Sequence, residues 1–460
     1  MRRNIFILGA ALVLMTGCST TRKGVLSTYE RPDDIATDGI YGDAQSAGEQ
    51  SLGDLSWREV FTDPQLQSLI EKGLANNPDL LNAALNVKMA EDQLKVAKLA
   101  FVPALSFTPQ GTIASWDGNK ATQTYSLPVT ASWSLDLFGN LLSVKRGAQM
   151  SLLQMKDYQV TVKTNLIANI ANLYYTLLML DKQLELVSDM ETLTKDTWET
   201  MKVLIDSRRG YRSVSVQAAE SNYYSVLTKK ADLKRQIRET ENTLSLLLGE
   251  QAQTIARGKI EAQSLPTSFS TGVGVQLLNN RADVHAAEMA LAQCFYGVET
   301  ARSRFYPSIT ISGTGAFTNS SGAGIVNPGK WLLSAVGSLV QPLFQNGRLI
   351  AGLRVAKAQY EQAYNTWQNA VLKAGSEVSN ALVLYNSSEE KSQIEAKQIE
   401  VLQKNVEQTR ELVGDAGSNY LDIITAQSSL LNVQLSKVAD DFNKMQAVVN
   451  LYYALGGGAK

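Results

Sequence analysis

Two cysteines and one histidine are all the thiol and imidazole chemistry that the 460 residues hold. Zinc sites and nucleophilic catalysis use such groups in clusters, whereas here they stand apart as Cys18, Cys294 and His285. His285 falls in the alanine-rich run DVHAAEMALAQ, which reads as a helix, and is expected to be a packing or surface residue. Cys294 follows on the same helix and is expected to be a small apolar residue of it. The glycine-rich GTGAF at 313–317 and SGAG at 321–324 lie in a strand and a loop, not ahead of a helix, so neither reads as a phosphate cradle. No Walker loop, paired-cysteine metal site or nucleophile elbow is present. Neither enzyme activity nor a cofactor is expected.

Cys18 is the exception. The chain opens MRRNIFILGAALVLMTGC, with Arg2 and Arg3 as a positive n-region and Ile5 to Met15 as an apolar stretch of signal-peptide length. Met15-Thr16-Gly17-Cys18 resembles a bacterial lipobox, with Met15 where leucine is usual. The resemblance implies cleavage that removes residues 1–17 and acylation of Cys18, and Ser19 in the next position implies sorting to the outer membrane. The plainer alternative is an ordinary signal peptide that contains a cysteine. Once Cys18 is lipidated, Cys294 has no intrachain partner, which excludes a disulfide framework.

The elements behind these residues follow from composition, repeats and proline. Lys plus Arg is 43 against 44 for Asp plus Glu, a net charge of −1, so no basic excess draws in nucleic acid. Past the N-terminus no run of 18 apolar residues occurs, so any membrane crossing must be made by strands. A tandem duplication is visible at a spacing near 205. Phe101-Val102-Pro103 matches Phe305-Tyr306-Pro307, Leu137-Phe138 matches Leu343-Phe344, and Leu248-Gly249 matches Leu455-Gly456. An N-terminal linker with short helices is expected over 18–78, a first repeat over 79–255 and a second over 256–460.

No proline occurs from 129 to 265, or from 343 onward. Proline inside a helix costs about 3 kcal/mol, so these tracts permit long helices. In the first repeat the pattern predicts a helix over 79–102, strands over 104–116 and 123–137, and helices over 140–207 and 213–248. In the second it predicts a helix over 281–304, strands over 308–318 and 331–343, and helices over 347–413 and 419–455. Leu166, Ile170, Leu173, Leu177, Leu180, Leu184 and Val187 form a heptad seam on the first long helix. That helix spans roughly 100 Å at 1.5 Å per residue, enough to lie beside two shorter helices stacked end to end.

The strands alternate. In YSLPVTASWSLDLF, from Tyr125, the odd positions are apolar and the even ones are Ser126, Pro128, Thr130, Ser132, Ser134 and Asp136. Leu105 and Phe107 oppose Ser106 and Thr108, and Ile309 and Ile311 oppose Ser308, Thr310 and Ser312; the strand from Trp331 is less clean. A half-buried soluble sheet fits this pattern, and so does a barrel wall with lipid on one side and water on the other; the lipobox favours the wall. Four strands cannot close a barrel, and open edges are not tolerated in hydrocarbon, so the barrel must be shared. Two chains give eight strands and a filled interior. Three give twelve, with a water-filled radius of roughly 12 Å. The apolar odd positions then face lipid, and Ser126, Thr130, Ser132, Ser134 and Asp136 face the lumen.

Trp57-Arg58-Glu59-Val60-Phe61-Thr62-Asp63-Pro64, Ala75-Asn76-Asn77-Pro78-Asp79-Leu80, Gly139-Asn140, Tyr306-Pro307, Asn346-Gly347 and the terminal LYYALGGG complete a recognisable set. The chain resembles the outer-membrane factors of tripartite efflux pumps, the TolC, OprM and NodT-like proteins. Ala282, where a proline commonly precedes the aspartate, departs mildly from the pattern. The resemblance implies a mixed α and membrane-β fold: a homotrimer with a 12-stranded β-barrel continuous with a long periplasmic α-helical barrel. Implied partners are a periplasmic adaptor (membrane fusion protein), an inner-membrane RND transporter and outer-membrane lipid, with no nucleic acid. The expected function is a passive exit duct for drugs or other small toxic compounds. A TolC-like duct for type I protein secretion and a non-conducting structural coiled-coil lipoprotein are the rival readings.

The family closes its periplasmic end by contacts between neighbouring helix hairpins. Matching residues here are Arg208, Arg209 and Tyr211 on one hairpin tip and Asp415, Tyr420 and Asp422 on the other. The chain reads Ala416-Gly417-Ser418-Asn419-Tyr420 where the family often has an acid, so Asp415 or Asp422 is the available substitute. Asp422 near a helix start also complements the macrodipole, which is its plainer role.

Overall fold

The computed structural model describes residues 27–32, 52–115, 117–118, 120–207, 213–266, 281–320, 325–411 and 420–459. Helices are α1 (Trp57–Val60), α2 (Pro64–Asn76), α3 (Pro78–Leu99), α4 (Asn140–Ser207), α5 (Ser213–Leu247), α6 (Ala282–Ser303), α7 (Arg348–Glu411) and α8 (Tyr420–Ala454). Strands are β1 (Ala104–Phe107), β2 (Gln110–Ala114), β3 (Thr122–Leu135), β4 (Ser308–Ser320) and β5 (Ile325–Val340). Helix, strands, very long helix and long helix recur in the same order, so the duplication is structural as well as sequential. No helix among the described residues is long and apolar enough to cross a membrane.

The chain forms two compact units, one from residues 1–35, 85–157 and 285–369, the other from 36–84, 158–284 and 370–460. The first holds the sheet. Its order is β1-β3-β4-β5, all antiparallel, with β2 also paired to β3, so it is four strands across with open edges at β1/β2 and β5. The strand expected over 104–116 is two strands. Their break at Thr108-Pro109 lies opposite Leu127-Pro128 of β3, between the Phe107–Val129 and Gln110–Ser126 pairs. Two prolines meet where neither could donate a ladder hydrogen bond, and the Thr108 N–H reaches the Pro128 carbonyl at 3.3 Å. β5 starts at Ile325, six residues before the expected start, and takes in Pro328, which an edge strand accommodates.

The second unit shows why the diagnostic motifs are there. Ser56 and Glu59 make a capping box on α1, and Asp63 caps α2 through the Gln65 N–H at 2.8 Å with Pro64 in the first turn. Asn77 receives the Asp79 and Leu80 N–H groups, each at 3.0 Å, and donates to the Leu247 carbonyl at 2.9 Å, tying the start of α3 to the end of α5. Gly249 ends α5 at φ +69°, and a Cβ there would stand 2.8 Å from the Asn76 carbonyl oxygen, so only glycine fits. From the terminal LYYALGGG, Tyr452 packs edge-to-face on Phe61 and donates to the Leu55 carbonyl at 2.9 Å.

Of the expected seam on α4, Leu166, Ile170, Leu177, Leu180 and Val187 are buried, and Leu173 and Leu184 half-buried. Ile167, Ala171, Tyr174, Tyr175 and Leu178 are buried with them, so the helix is covered over a wider arc than two heptad positions supply. Lower on the helix, Leu180, Val187 and Met190 pack with Val226 and Leu233 of α5 and Leu431 of α8.

Candidate functional site

The sheet sorts its side chains by register. On β3 the odd positions Tyr125, Leu127 and Val129 are exposed, while Ser126, Pro128 and Thr130 between them are half-buried. Cross-strand partners share a face, and the pairing keeps chemistry with chemistry. Leu127 pairs with Phe317, Trp133 with Ile311 and Leu135 with Ile309; then Phe317 pairs with Trp331 and Ile309 with Leu339. Ser126 pairs with Thr318, Thr130 with Thr314, Ser132 with Ser312 and Ser134 with Thr310, followed by Ser334 and Ser338 on β5. β5 reads less cleanly because Leu332, Val336 and Val340 occupy its even positions. Its odd positions still present Trp331, 79 % exposed, and Leu333, 83 % exposed, on the apolar face.

That face has aromatic groups at both ends. Tyr125, Phe317 and Trp331 form a chain with centroids 6.1 and 5.8 Å apart. At the helix end the Trp133 indole N–H donates to the Phe101 carbonyl at 2.9 Å. Tyr125 and Trp133 are eight residues apart on β3, about 26 Å along the strand and about 20 Å across a tilted wall. An outer-membrane apolar band is about 25 Å tall between its aromatic girdles. Trp116 lies outside the described residues.

Asp136 is a correction to the polar row. β3 ends at Leu135, and the Asp136 carboxylate accepts the Leu142 N–H at 2.7 Å, so it caps the first turn of α4. An N-terminal strap, Ser27–Pro32, runs antiparallel to α6. Arg31 bonds Glu288 at 2.9 and 2.6 Å, the Tyr29 N–H reaches the Tyr296 hydroxyl at 3.2 Å, and Arg146 donates to the Ser27 carbonyl at 3.2 Å. The N-terminal end of the strap, Ser27, thus lies toward the strand end of α6. Cys18 lies outside the described residues.

At the hairpin ends, Arg208, Arg209, Tyr211 and Asp415 lie outside the described residues, as does the side chain of Tyr420, the first residue of α8. Asp422 is exposed in the first turn of α8, where a carboxylate favours the positive helix end. Next to the tips, Met201, Ala219 and Ile423 are buried together. Trp198 stacks on Tyr223 with centroids 5.6 Å apart, Lys202 Nζ sits 3.6 Å from the Trp198 centroid, and Gln427 donates to Thr197 at 2.9 Å. This aromatic and amide core escaped sequence reading, because its members come from three helices and no spacing connects them.

Among the described residues no three His, Cys, Asp or Glu side chains cluster as metal ligands. Cys294 is unpaired and half-buried, and burial raises its thiol above the ordinary value. His285 is more than a packing residue: its Nδ1 lies 2.7 Å from Asp157 Oδ2, and that bond raises the imidazole above its ordinary value although burial opposes it.

Comparison with known proteins assigns the fold and the family. The family model described as "Outer membrane efflux protein" matches residues 69–250 and again 273–457, once per repeat. Cation efflux system protein CusC of Escherichia coli is 26 % identical, with 96 % of this chain and 97 % of that protein covered. Toluene efflux pump outer membrane protein TtgC of Pseudomonas putida is 27 % identical over 100 % of this chain and 96 % of its own length. The solved outer-membrane channel OprN superposes with a TM-score of 0.85 at 21 % identity, covering 94 % of this chain and 99 % of that one. With most of both repeats matched, the chain belongs to the outer membrane efflux protein family and is an outer-membrane exit duct of an efflux system.

Proposed function

We propose that three copies of this chain close one twelve-stranded barrel, and that the duct passes drugs or other small toxic compounds handed to it by a periplasmic adaptor and an inner-membrane RND transporter. The observation that carries the assembly is the sheet: four strands across, apolar on one register-true face, polar on the other, and open at both edges. An open edge in hydrocarbon leaves a row of unpaired N–H and C=O groups, each costing several kcal/mol, so β1/β2 of one copy pairs with β5 of the next. Twelve strands leave a radius of roughly 12 Å, and the Ser126, Thr130, Ser132 and Ser134 row then lines it.

The chain performs no catalysis in this reading, and the energy for transport comes from the inner-membrane partner. CusC is named for cation efflux and TtgC for toluene efflux, yet the two are similar to this chain to nearly the same degree. That parity supports a duct whose cargo is chosen by its pump. Arg208, Arg209, Tyr211, Asp415, Tyr420 and Asp422 are the proposed closure at the hairpin tips. Lipidation at Cys18 fits the strap: nine residues ahead of Ser27 reach about 30 Å when extended.

Mass measurement of the detergent-solubilised protein, paired with a cysteine cross-link between β1 and β5, tests the assembly. A mass of three chains with Leu105→Cys bridged to Leu333→Cys of another copy is expected. A monomer, or a dimer with eight strands, would overturn it.

A further inference from the structure

The stretches that join helix to strand carry a charge imbalance that the whole chain lacks. Residues 94–103, 136–150, 294–307 and 341–357, all in the first unit, hold nine basic residues and two acidic ones, against a net charge of −1 overall. Both acids are engaged: Asp136 caps Leu142, and Glu299 is held by Arg302 at 2.5 Å. Arg146 is taken by the strap, and Arg304 lines a cavity of about 490 Å³ with Gln93, Tyr296 and Gly352. Lys95, Lys98, Arg348, Arg354 and Lys357 are exposed and make no ion pair among the described residues. Like charges gathered without acids repel one another, and an anionic partner removes that cost.

The basic groups continue the rim of the apolar face. Trp133, on that face, donates to the Phe101 carbonyl, and Lys145 Nζ lies 5.9 Å from the Phe101 ring centroid. Phe101 follows Lys98 by three residues. On the other repeat, Leu343 and Phe344, 92 % and 82 % exposed, precede Arg348 by a few residues. An indole with an apolar body and a bonded N–H, followed by lysine and arginine on long apolar stems, suits a membrane–water boundary.

We infer that this aromatic and basic rim recognises the headgroups of anionic phospholipids in the leaflet that faces the helices. The inference rests on the reading of the odd strand face as lipid-facing. Phosphate oxygens accept from the lysine and arginine N–H groups, while Phe101, Trp133 and Phe344 sit among the upper acyl carbons. Near an anionic surface each basic group favours a charged headgroup over a neutral one by about fivefold, and salt weakens the preference. The other end of the sheet has no such excess: its described residues carry one acid, Asp117, and two bases, Lys120 and Lys330.

The test uses the full-length protein reconstituted in phosphatidylcholine vesicles with a trace of spin-labelled phosphatidylglycerol or spin-labelled phosphatidylcholine. Electron spin resonance reads the fraction of each label immobilised against the protein. Phosphatidylglycerol is expected to be enriched about threefold over phosphatidylcholine when averaged over the shell, and the enrichment is expected to collapse in concentrated salt. Lys98→Gln with Lys145→Gln and Arg354→Gln should lower it clearly, whereas Lys195→Gln with Lys229→Gln, in the second unit, should leave it intact. Equal immobilisation of both labels by the wild type, or full enrichment in the triple variant, would overturn the inference. If neither label is immobilised, the membrane-inserted sheet itself is refuted; a shell without headgroup preference refutes the rim alone.

Discussion

The side-chain oxygens of Thr130 and Thr314 lie 3.1 Å apart across the β3–β4 pair, one contributed by each repeat. The contact belongs to a row of hydroxyls that the register keeps on one face, with leucine, valine and aromatic side chains on the other. A one-residue slip would mix the two rows, so the hydroxyl pair reports the register and the register fixes which face is wet.

Charge placed on either face should therefore have opposite consequences. Val129→Arg or Leu127→Arg puts a cation in hydrocarbon and is expected to cost about 2–4 kcal/mol near the midplane, with loss of assembled protein in the outer membrane. Thr130→Arg or Ser132→Arg is expected to assemble and to shift ion selectivity toward anions. Quantifying heat-resistant oligomer in outer-membrane fractions checks the first expectation, and reversal potentials check the second. Equal assembly of the two classes would contradict the face assignment.

Arg257 holds a buried acid. It donates to Asp181 at 2.5 and 3.0 Å and to Glu241 at 2.6 Å, and the Glu241 side chain is 5 % exposed. Burial alone would raise the Glu241 carboxyl, but hydrogen bonds from Arg257 and the Ile255 N–H bring it below its ordinary 4.5. A depressed carboxyl stabilises the fold above its unfolded value and loses that contribution as pH falls through the folded one. Arg257→Met should cost about 3 kcal/mol at neutral pH, because Arg238 at 3.3 Å is then the acid's remaining cation, and the deficit should be smaller at acidic pH, where Glu241 protonates. Denaturant titrations followed by helical circular dichroism at both pH values check this; a deficit independent of pH would place the loss in packing.

His285 reverses the sign. Asp157 raises its imidazole above the ordinary 6.5, so the pairing contributes in full below that value and is lost as pH rises through the raised one. Glu288 adds to the rise and Arg31 opposes it. His285→Gln should lower the melting temperature most near pH 5.5 and least near pH 8.5, and Asp157→Asn should behave alike. A difference that grows toward alkaline pH would contradict the ion pair.

Much of this was legible because punctuation residues are local. The expected bounds of the first long helix, 140–207, coincide with α4, since Gly139 and the proline-free tract mark its length without help from partners. The motifs around Asp63, Asn77 and Gly249 are caps, which act within a few residues. What escaped was non-local. The β1–β2 break needs Thr108-Pro109 to fall opposite Leu127-Pro128, which is a fact of register. Asp136 looked like the next step of the alternation, and its distance to the start of α4 decides its role as a cap. His285 meets Asp157 across 128 residues, and no periodicity joins them.

The even row of the sheet is expected to face a water-filled path through the membrane. Single-channel recording in planar bilayers, with a charged, membrane-impermeant thiol reagent added to Ser132→Cys and to Val129→Cys in a Cys294→Ser background, tests it directly. A stepwise change of conductance is expected for Ser132→Cys and none for Val129→Cys. Modification confined to Val129→Cys would contradict it.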